Sequence, residues 1–228
     1  MTHLFTTLFA LIVACATSLA QAQTAPAPAK AASPQSLEAK TAMCFGCHNI
    51  VGYQSSFPVV HKVPKIAGQN AKYIAAALNA YKTGDRKHPT MRGIAVSLTE
   101  QDIADISHFY ESLGKEQRKP IADKPRREPN AQVGALMQKA NCQSCHGANL
   151  SKPIDPSYPK IAGQHADYLL QALKAYKADD NPAVGRSNGI MGAIAKQFST
   201  AELKAIAQYV GSLDSELATV PESRFHRQ

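Results

Sequence analysis

Cysteine is scarce in this chain and fully committed. The 228 residues hold five cysteines. Four sit in two short clusters, and the fifth, Cys15, lies in an apolar N-terminal run. No thiol is left over for a disulfide. Long apolar segments are also lacking: beyond the first 22 residues none is long and apolar enough to span a bilayer. Acidic residues are outnumbered 17 to 25, which gives a net charge of +8. The basic residues are scattered, with no aromatic-interleaved stripe, so nucleic acid is excluded as a partner. Nothing resembles an active site either. There is no spare nucleophile and no acid/base pair repeated along the chain, so the expectation is a protein that is not an enzyme.

What is present begins with an export signal. Residues 5–19 are largely apolar, and Ala20-Gln21-Ala22 is a small-x-small cleavage site, so residues 1–22 read as a signal peptide. The n-region lacks Lys and Arg. Ile12-Val13-Ala14-Cys15 resembles a lipobox, which makes lipoprotein anchoring at Cys15 the alternative, but the chain stays apolar beyond it. Residues 23–32 are Ala/Pro-rich and read as a flexible leader.

The cysteine clusters are Cys44-Phe45-Gly46-Cys47-His48 and Cys142-Gln143-Ser144-Cys145-His146. C-x-x-C-H is the attachment signature of a c-type haem. Two thiols three positions apart can each form a thioether to the same porphyrin, and the next histidine then lies over the iron. A zinc site would need a fourth ligand beside each cluster. A redox dithiol needs no histidine there. The reading is two covalent haem c groups, on Cys44 and Cys47 and on Cys142 and Cys145, with His48 and His146 as one axial ligand each. Such haems are attached outside the cytoplasm, which agrees with the signal and places the protein in the periplasm.

The surroundings of the two clusters repeat. Pro64-Lys65-Ile66-Ala67-Gly68-Gln69 recurs letter for letter as Pro159-Lys160-Ile161-Ala162-Gly163-Gln164. Tyr73, Ala77, Leu78 and Tyr81 recur at Tyr168, Ala172, Leu173 and Tyr176 on a helix expected over residues 70–82 and its copy. Thr99 with Asp102, and Ser199 with Glu202, start capped terminal helices. The stripes Ile103, Ile106, Phe109, Tyr110, Leu113 and Leu203, Ile206, Tyr209, Val210, Leu213 follow them. Ser33-Pro34 and Asn130 can cap helices ending near Met43 and Ala140. The repeat of about 95–100 residues means duplication of one globular domain rather than a short-repeat solenoid. The boundaries expected are a first domain over 33–114, a Pro-rich linker over 115–129, a second domain over 130–214 and a tail over 215–228. Up to Glu128 there are 15 basic and 9 acidic residues, and beyond it 10 and 8. Four haem propionates would offset about half of the excess. The rest reads either as a solvated basic surface or as steering toward an acidic redox partner.

Duplication also selects the second axial ligand, since a ligand serving both haems should recur at equivalent positions. Met91 and Met191 do, each expected in the loop before the terminal helix, whereas Met43 and Met137 do not. His61, His88, His108 and His165 have no partner histidine; His61 and His88 are the reserve ligands for the first haem. A Met ligand closes the iron and suits electron transfer rather than catalysis. Pro64 and Pro159 are placed to accept the proximal histidine Nδ1 proton, or else simply form a turn. Tyr81 and Tyr176 are candidates for haem contact or for core packing. Arg86 and Arg186, five residues before each Met, are candidates for propionate pairing or for a solvated surface.

Two C-x-x-C-H domains, each with P-K-I-A-G-Q, then Tyr, Leu and Tyr, then Met and a capped helix, resemble the dihaem cytochrome c4 family over residues 35–213. The resemblance implies an all-α fold of two tandem class I cytochrome c domains related by a pseudo-twofold, with haem edges near the interface. It implies His48/Met91 and His146/Met191 ligation and a periplasmic shuttle, free or loosely attached to the membrane surface. Its partners would be redox proteins: a quinol-oxidising cytochrome complex as donor and a terminal oxidase as acceptor. The alternative is the dihaem electron-accepting subunit of a dehydrogenase, as in flavocytochrome c sulfide dehydrogenases. The loop before Met191 is five residues longer than its copy.

Overall fold

The structure is a computed structural model that describes residues 36–178 and 180–222. The expected signal, Cys15, the leader and the Ser33-Pro34 helix start lie outside the described residues. No helix among the described residues is long and apolar enough to cross a membrane.

The first half opens with α1 (Leu37–His48), capped by the Ser36 hydroxyl, which accepts from the Ala39 N–H at 3.3 Å. The helix does not end near Met43. It runs through the first pentapeptide, so Cys44 and Cys47 share one face of its last turn. A short hairpin follows, pairing β1 (Gln54–Ser55) with β2 (His61–Lys62). Next comes α2 (Ala71–Thr83), which ends on Gly84 in the left-handed conformation. After β3 (Arg86–Lys87) comes α3 (Pro89–Ala95), then α4 (Glu100–Ser112) with the Thr99/Asp102 capping box in place.

The second half, among its described residues, repeats this order without the hairpin and with one break in its first helix. Asn130 caps α5 (Ala131–Ala140), and Asn141, at φ 47°, ends it in the left-handed region. The second pentapeptide then sits on a separate turn, α6 (Gln143–His146). The sequence continues with α7 (Ala166–Lys177), β4 (Gly185–Arg186), α8 (Gly189–Lys196) and α9 (Thr200–Gly211), the last with its Ser199/Glu202 box.

Each half has its own apolar core. The periodic stripe of α4 places Ile103, Ile106 and Tyr110 against Ile74 and Leu78 of α2 and Phe45 of α1. In the second half Leu203, Ile206 and Val210 of α9 meet Leu169 of α7 and Leu136 of α5. Both stripes follow helical spacing because only one face of each helix is withdrawn from water.

Several sets of contacts join the halves. β3 pairs antiparallel with β4, which sets Arg86 opposite Arg186. The two P-K-I-A-G-Q segments exchange hydrogen bonds: Gln69 Nε2 donates to the Lys160 carbonyl at 2.9 Å, and Gln164 Nε2 donates to the Lys65 carbonyl at 2.9 Å. The C-terminal segment crosses back to the first half, where the Ala218 N–H donates to the Ala67 carbonyl and Asn49 Nδ2 donates to the Val220 carbonyl. The segment between the halves leans on the second. Asn149 Nδ2 donates to the Ala122 carbonyl, and the Tyr209 hydroxyl donates to the Arg127 carbonyl.

Candidate haem sites

A continuous cavity of about 570 Å³ runs through both halves, with the two pentapeptides on its wall. Each pentapeptide is delivered by a short stretch of helix, and its histidine is fixed at once. His48 Nδ1 lies 2.9 Å from the Pro64 carbonyl, and His146 Nδ1 lies 2.8 Å from the Pro159 carbonyl. A carbonyl can only accept, so Nδ1 carries the proton and the Nε2 lone pair is left for a metal. Burial holds both imidazoles below their ordinary pKa, against the opposing pull of the proline carbonyls. Burial also pushes the thiols of Cys44 and Cys142 up to about 11. The four cysteines of the two pentapeptides are partly buried.

Met91 and Met191 line the same cavity. Neither lies in a loop. Each is the third residue of a short helix, α3 or α8. Local capping explains the helices. The Met91 N–H donates to His88 Nδ1 at 3.4 Å, with Pro89 at the first helical position, and the Met191 N–H donates to Asn188 Oδ1 at 2.9 Å. His61, the other reserve candidate, is buried and spends Nδ1 on the Val59 carbonyl at 2.8 Å. Both reserve histidines line the cavity.

Arg86 and Arg186 also reach the cavity, with Tyr81 and Tyr176 beside them. The Arg86 guanidinium lies 4.6 Å from the Tyr81 ring centre, and that of Arg186 lies 5.4 Å from the Tyr176 ring centre. Both arginines donate to the Tyr168 hydroxyl, at 2.6 and 3.1 Å. Burial alone would raise that hydroxyl; Arg186 and Arg86 outweigh it and bring it down to about 8. Arg86 donates also to the Tyr73 hydroxyl at 3.3 Å. Tyr73 and Tyr168 were visible in the sequence only as members of a helix stripe.

These features bear directly on whether haem fits. Two guanidiniums face one another in a buried region, and neither forms an ion pair with a carboxylate among the described residues. Arg86 Nε is buried with no hydrogen-bond partner. A buried cation in that state calls for an anion, and haem propionates are anions of the right reach. The thiols, the oriented imidazoles, the apolar walls and the orphaned guanidinium donor together suit haem c in both halves.

Helical halves built around oriented C-x-x-C-H histidines are those of a c-type cytochrome with two domains. The cytochrome c family model matches residues 36–114 and again residues 131–214. Cytochrome c4 of Thiocapsa roseopersicina is 32% identical over 79% of this chain and 92% of its own. A thiosulfate dehydrogenase electron acceptor of Thiomonas intermedia is 27% identical over 88% of this chain and 90% of its own. The solved cytochrome c4 of Acidithiobacillus ferrooxidans superposes with a TM-score of 0.55 at 24% identity, covering 76% of this chain and 99% of that one. The chain belongs to the dihaem cytochrome c4 family. It is an electron-transfer cytochrome with two covalently attached haem c groups, at Cys44/Cys47 and Cys142/Cys145, and its partners are redox proteins.

Proposed function

We propose that this cytochrome carries single electrons in the periplasm on two haems, each with one histidine and one methionine as axial ligands. Haem supplies reversible one-electron chemistry at its iron. The residues supply the rest. Cys44, Cys47, Cys142 and Cys145 fix the two groups covalently, and His48 and His146 present Nε2 because the Pro64 and Pro159 carbonyls hold Nδ1. Met91 and Met191, on matching helix starts, would hold the two irons opposite these histidines. Arg86 and Arg186, framed by Tyr81 and Tyr176, would hold the propionates where the halves meet. The observation that carries the reading is the doubling: every proposed ligand has a counterpart at the equivalent position of the other half. Two closed irons fit a carrier and leave no vacant position for a substrate.

Met91→Ala and Met191→Ala test this. Each should remove about half of the weak near-infrared methionine–iron(III) band of the oxidised protein. An unchanged band in either variant rejects that methionine as a ligand.

The donors proposed are respiratory, through a quinol-oxidising complex, and the acceptor is a terminal oxidase. A second reading, as the electron-accepting partner of a dehydrogenase, is favoured by the relative described as a thiosulfate dehydrogenase electron acceptor. Reduction of the purified cytochrome by each candidate donor, compared at equal concentrations, separates the two.

A further inference from the structure

The letter-for-letter identity of P-K-I-A-G-Q has a use that the folding of each half alone does not explain. Gln69 and Gln164 are buried, at 3% and 5% exposure, yet each points out of its own half into the other. Gln164 Oε1 accepts from the Lys65 N–H at 2.9 Å, and Gln69 Oε1 accepts from the Lys160 N–H at 2.9 Å. Each Oε1 also accepts from the next residue of its own chain segment, His165 or Asn70, at 3.0 Å. With two N–H groups on Oε1 and a carbonyl on Nε2, neither amide can be turned over without facing donor to donor.

The Lys65 N–H and the Pro64 carbonyl belong to one peptide group. So do the Lys160 N–H and the Pro159 carbonyl. Pro64 and Pro159 are the acceptors of His48 and His146. A three-member relay therefore crosses the interface in each direction: Gln164 to the Pro64–Lys65 peptide to His48, and Gln69 to the Pro159–Lys160 peptide to His146. Hydrogen bonds in series polarise one another, by about 10–30% per bond. An acceptor on the peptide N–H makes the peptide carbonyl a better acceptor. A better carbonyl draws the Nδ1 proton and makes the imidazole more electron-rich, which favours the oxidised iron.

We propose that each glutamine is a positioning residue for the haem of the opposite half: Gln164 sets the proximal histidine of the first haem, and Gln69 that of the second. The inference rests on the reading of His48 and His146 as axial ligands. It makes the domain interface part of each redox site, so that separating the halves alters both potentials even with every ligand in place.

The test uses the holoprotein with Gln164→Leu and Gln69→Leu, which remove the acceptor but nearly keep the volume. Resolved haem methyl signals in an NMR redox titration give each potential separately. Histidine labelled with ¹⁵N reports the ring N–H of His48 and His146. In the wild type both ring signals should be strongly shifted by the iron; a diamagnetic position for either refutes axial ligation itself. Gln164→Leu should raise the potential of the Cys44/Cys47 haem more than that of the other and move the His48 ring signal. Gln69→Leu should do the mirror image. A larger shift at the variant's own half, equal shifts at both haems, or no shift overturns the proposal. Gln164→Glu keeps an acceptor on the Lys65 N–H and guards against loss of folding in the leucine variant. It should move the first haem's potential downward; an upward shift equal to that of Gln164→Leu overturns the proposal as well.

Discussion

The position directly after each haem-attachment histidine shows how far the two halves of this cytochrome have parted. In the first half it is Asn49, with ordinary backbone angles (φ −105°, ψ 8°). Its side chain accepts from the Tyr110 hydroxyl at 2.9 Å and donates to the Val220 carbonyl at 2.6 Å. In the second half it is Gly147, at φ 82° and ψ 161°, a region essentially reserved for glycine. Here the chain folds straight back on itself, so closely that an added Cβ would collide with the Lys152 carbonyl. One half thus steadies its histidine with a side chain that also ties down the C-terminal segment. The other does so with a glycine turn whose following residues a second asparagine holds: Asn149 Oδ1 accepts from the Ser151 and Lys152 N–H groups, each at 2.9 Å. What stays constant on both sides is the bond from the histidine Nδ1 to a proline carbonyl. The surroundings diverged; the orientation of the imidazole did not.

The broadest way to break the comparison is at the thiols. Cys142→Ser with Cys145→Ser should leave a protein with one covalent haem, and Cys44→Ser with Cys47→Ser should do the same, each shown by an intact mass lower by one haem. Each half alone holds a small core, so the apo half should also lose helix by circular dichroism. A chain that retains both haems in either double variant contradicts the attachment sites.

Next in size is the glycine. Gly147→Ala should destabilise the second half by roughly 2–4 kcal/mol, from backbone strain and forced displacement of the Lys152 turn. Asn49→Ala, which removes two hydrogen bonds without straining the backbone, should cost the first half roughly 1–3 kcal/mol. Denaturant unfolding with half-resolved NMR signals checks both. A cost below about 1 kcal/mol for Gly147→Ala would mean that Gly147 tolerates a side chain and that the halves are closer than their backbones indicate.

The same contrast explains what could be read in the chain before its structure. The capping boxes at Thr99/Asp102 and Ser199/Glu202 and the Asn130 cap were legible because each is settled within four residues. So were the stripes of α4 and α9, since one periodic face suffices to mark a core helix. The placing of Met91 and Met191 in a loop failed, although His88-Pro89 and Asn188 are short-range start signals of the same kind. Polar residues and Gly84 masked them. α1 runs past the end expected near Met43 and through Gly46, where no neighbouring atom or backbone angle demands a break. The exchange of Gln69 and Gln164 depends on how two distant segments dock, about which periodicity says nothing. Its one trace was the unbroken identity of the hexapeptide, in which buried faces of a single half would have tolerated conservative change.

The smallest difference lies in the way the two terminal helices are anchored against acid. In the first half Lys40 of α1 reaches across to α4 and binds Asp102 and Asp105, each at 2.8 Å. Lys40, followed by the Thr99 hydroxyl and N–H, holds the Asp102 carboxyl down to about 2. In the second half Glu202 is also held below its ordinary value, but first by the Ser199 N–H and hydroxyl, with Lys139 and Lys177 adding less. A carboxyl whose folded pKa lies below its unfolded value stabilises the fold above the unfolded pKa, and that stabilisation fades as pH falls through the folded one. The Asp102 contribution is therefore complete above about pH 4 and lost toward pH 2. Lys40→Met should return the Asp102 titration toward the ordinary carboxylate range. It should also move the acid unfolding of the first half to higher pH while leaving that of the second in place. The Lys40 pair is surface-accessible, so the displacement should be small and should shrink further at high salt. A displacement of both halves together would show that they unfold in acid as one unit, joined by the β3–β4 pair and the crossed glutamines rather than anchored separately.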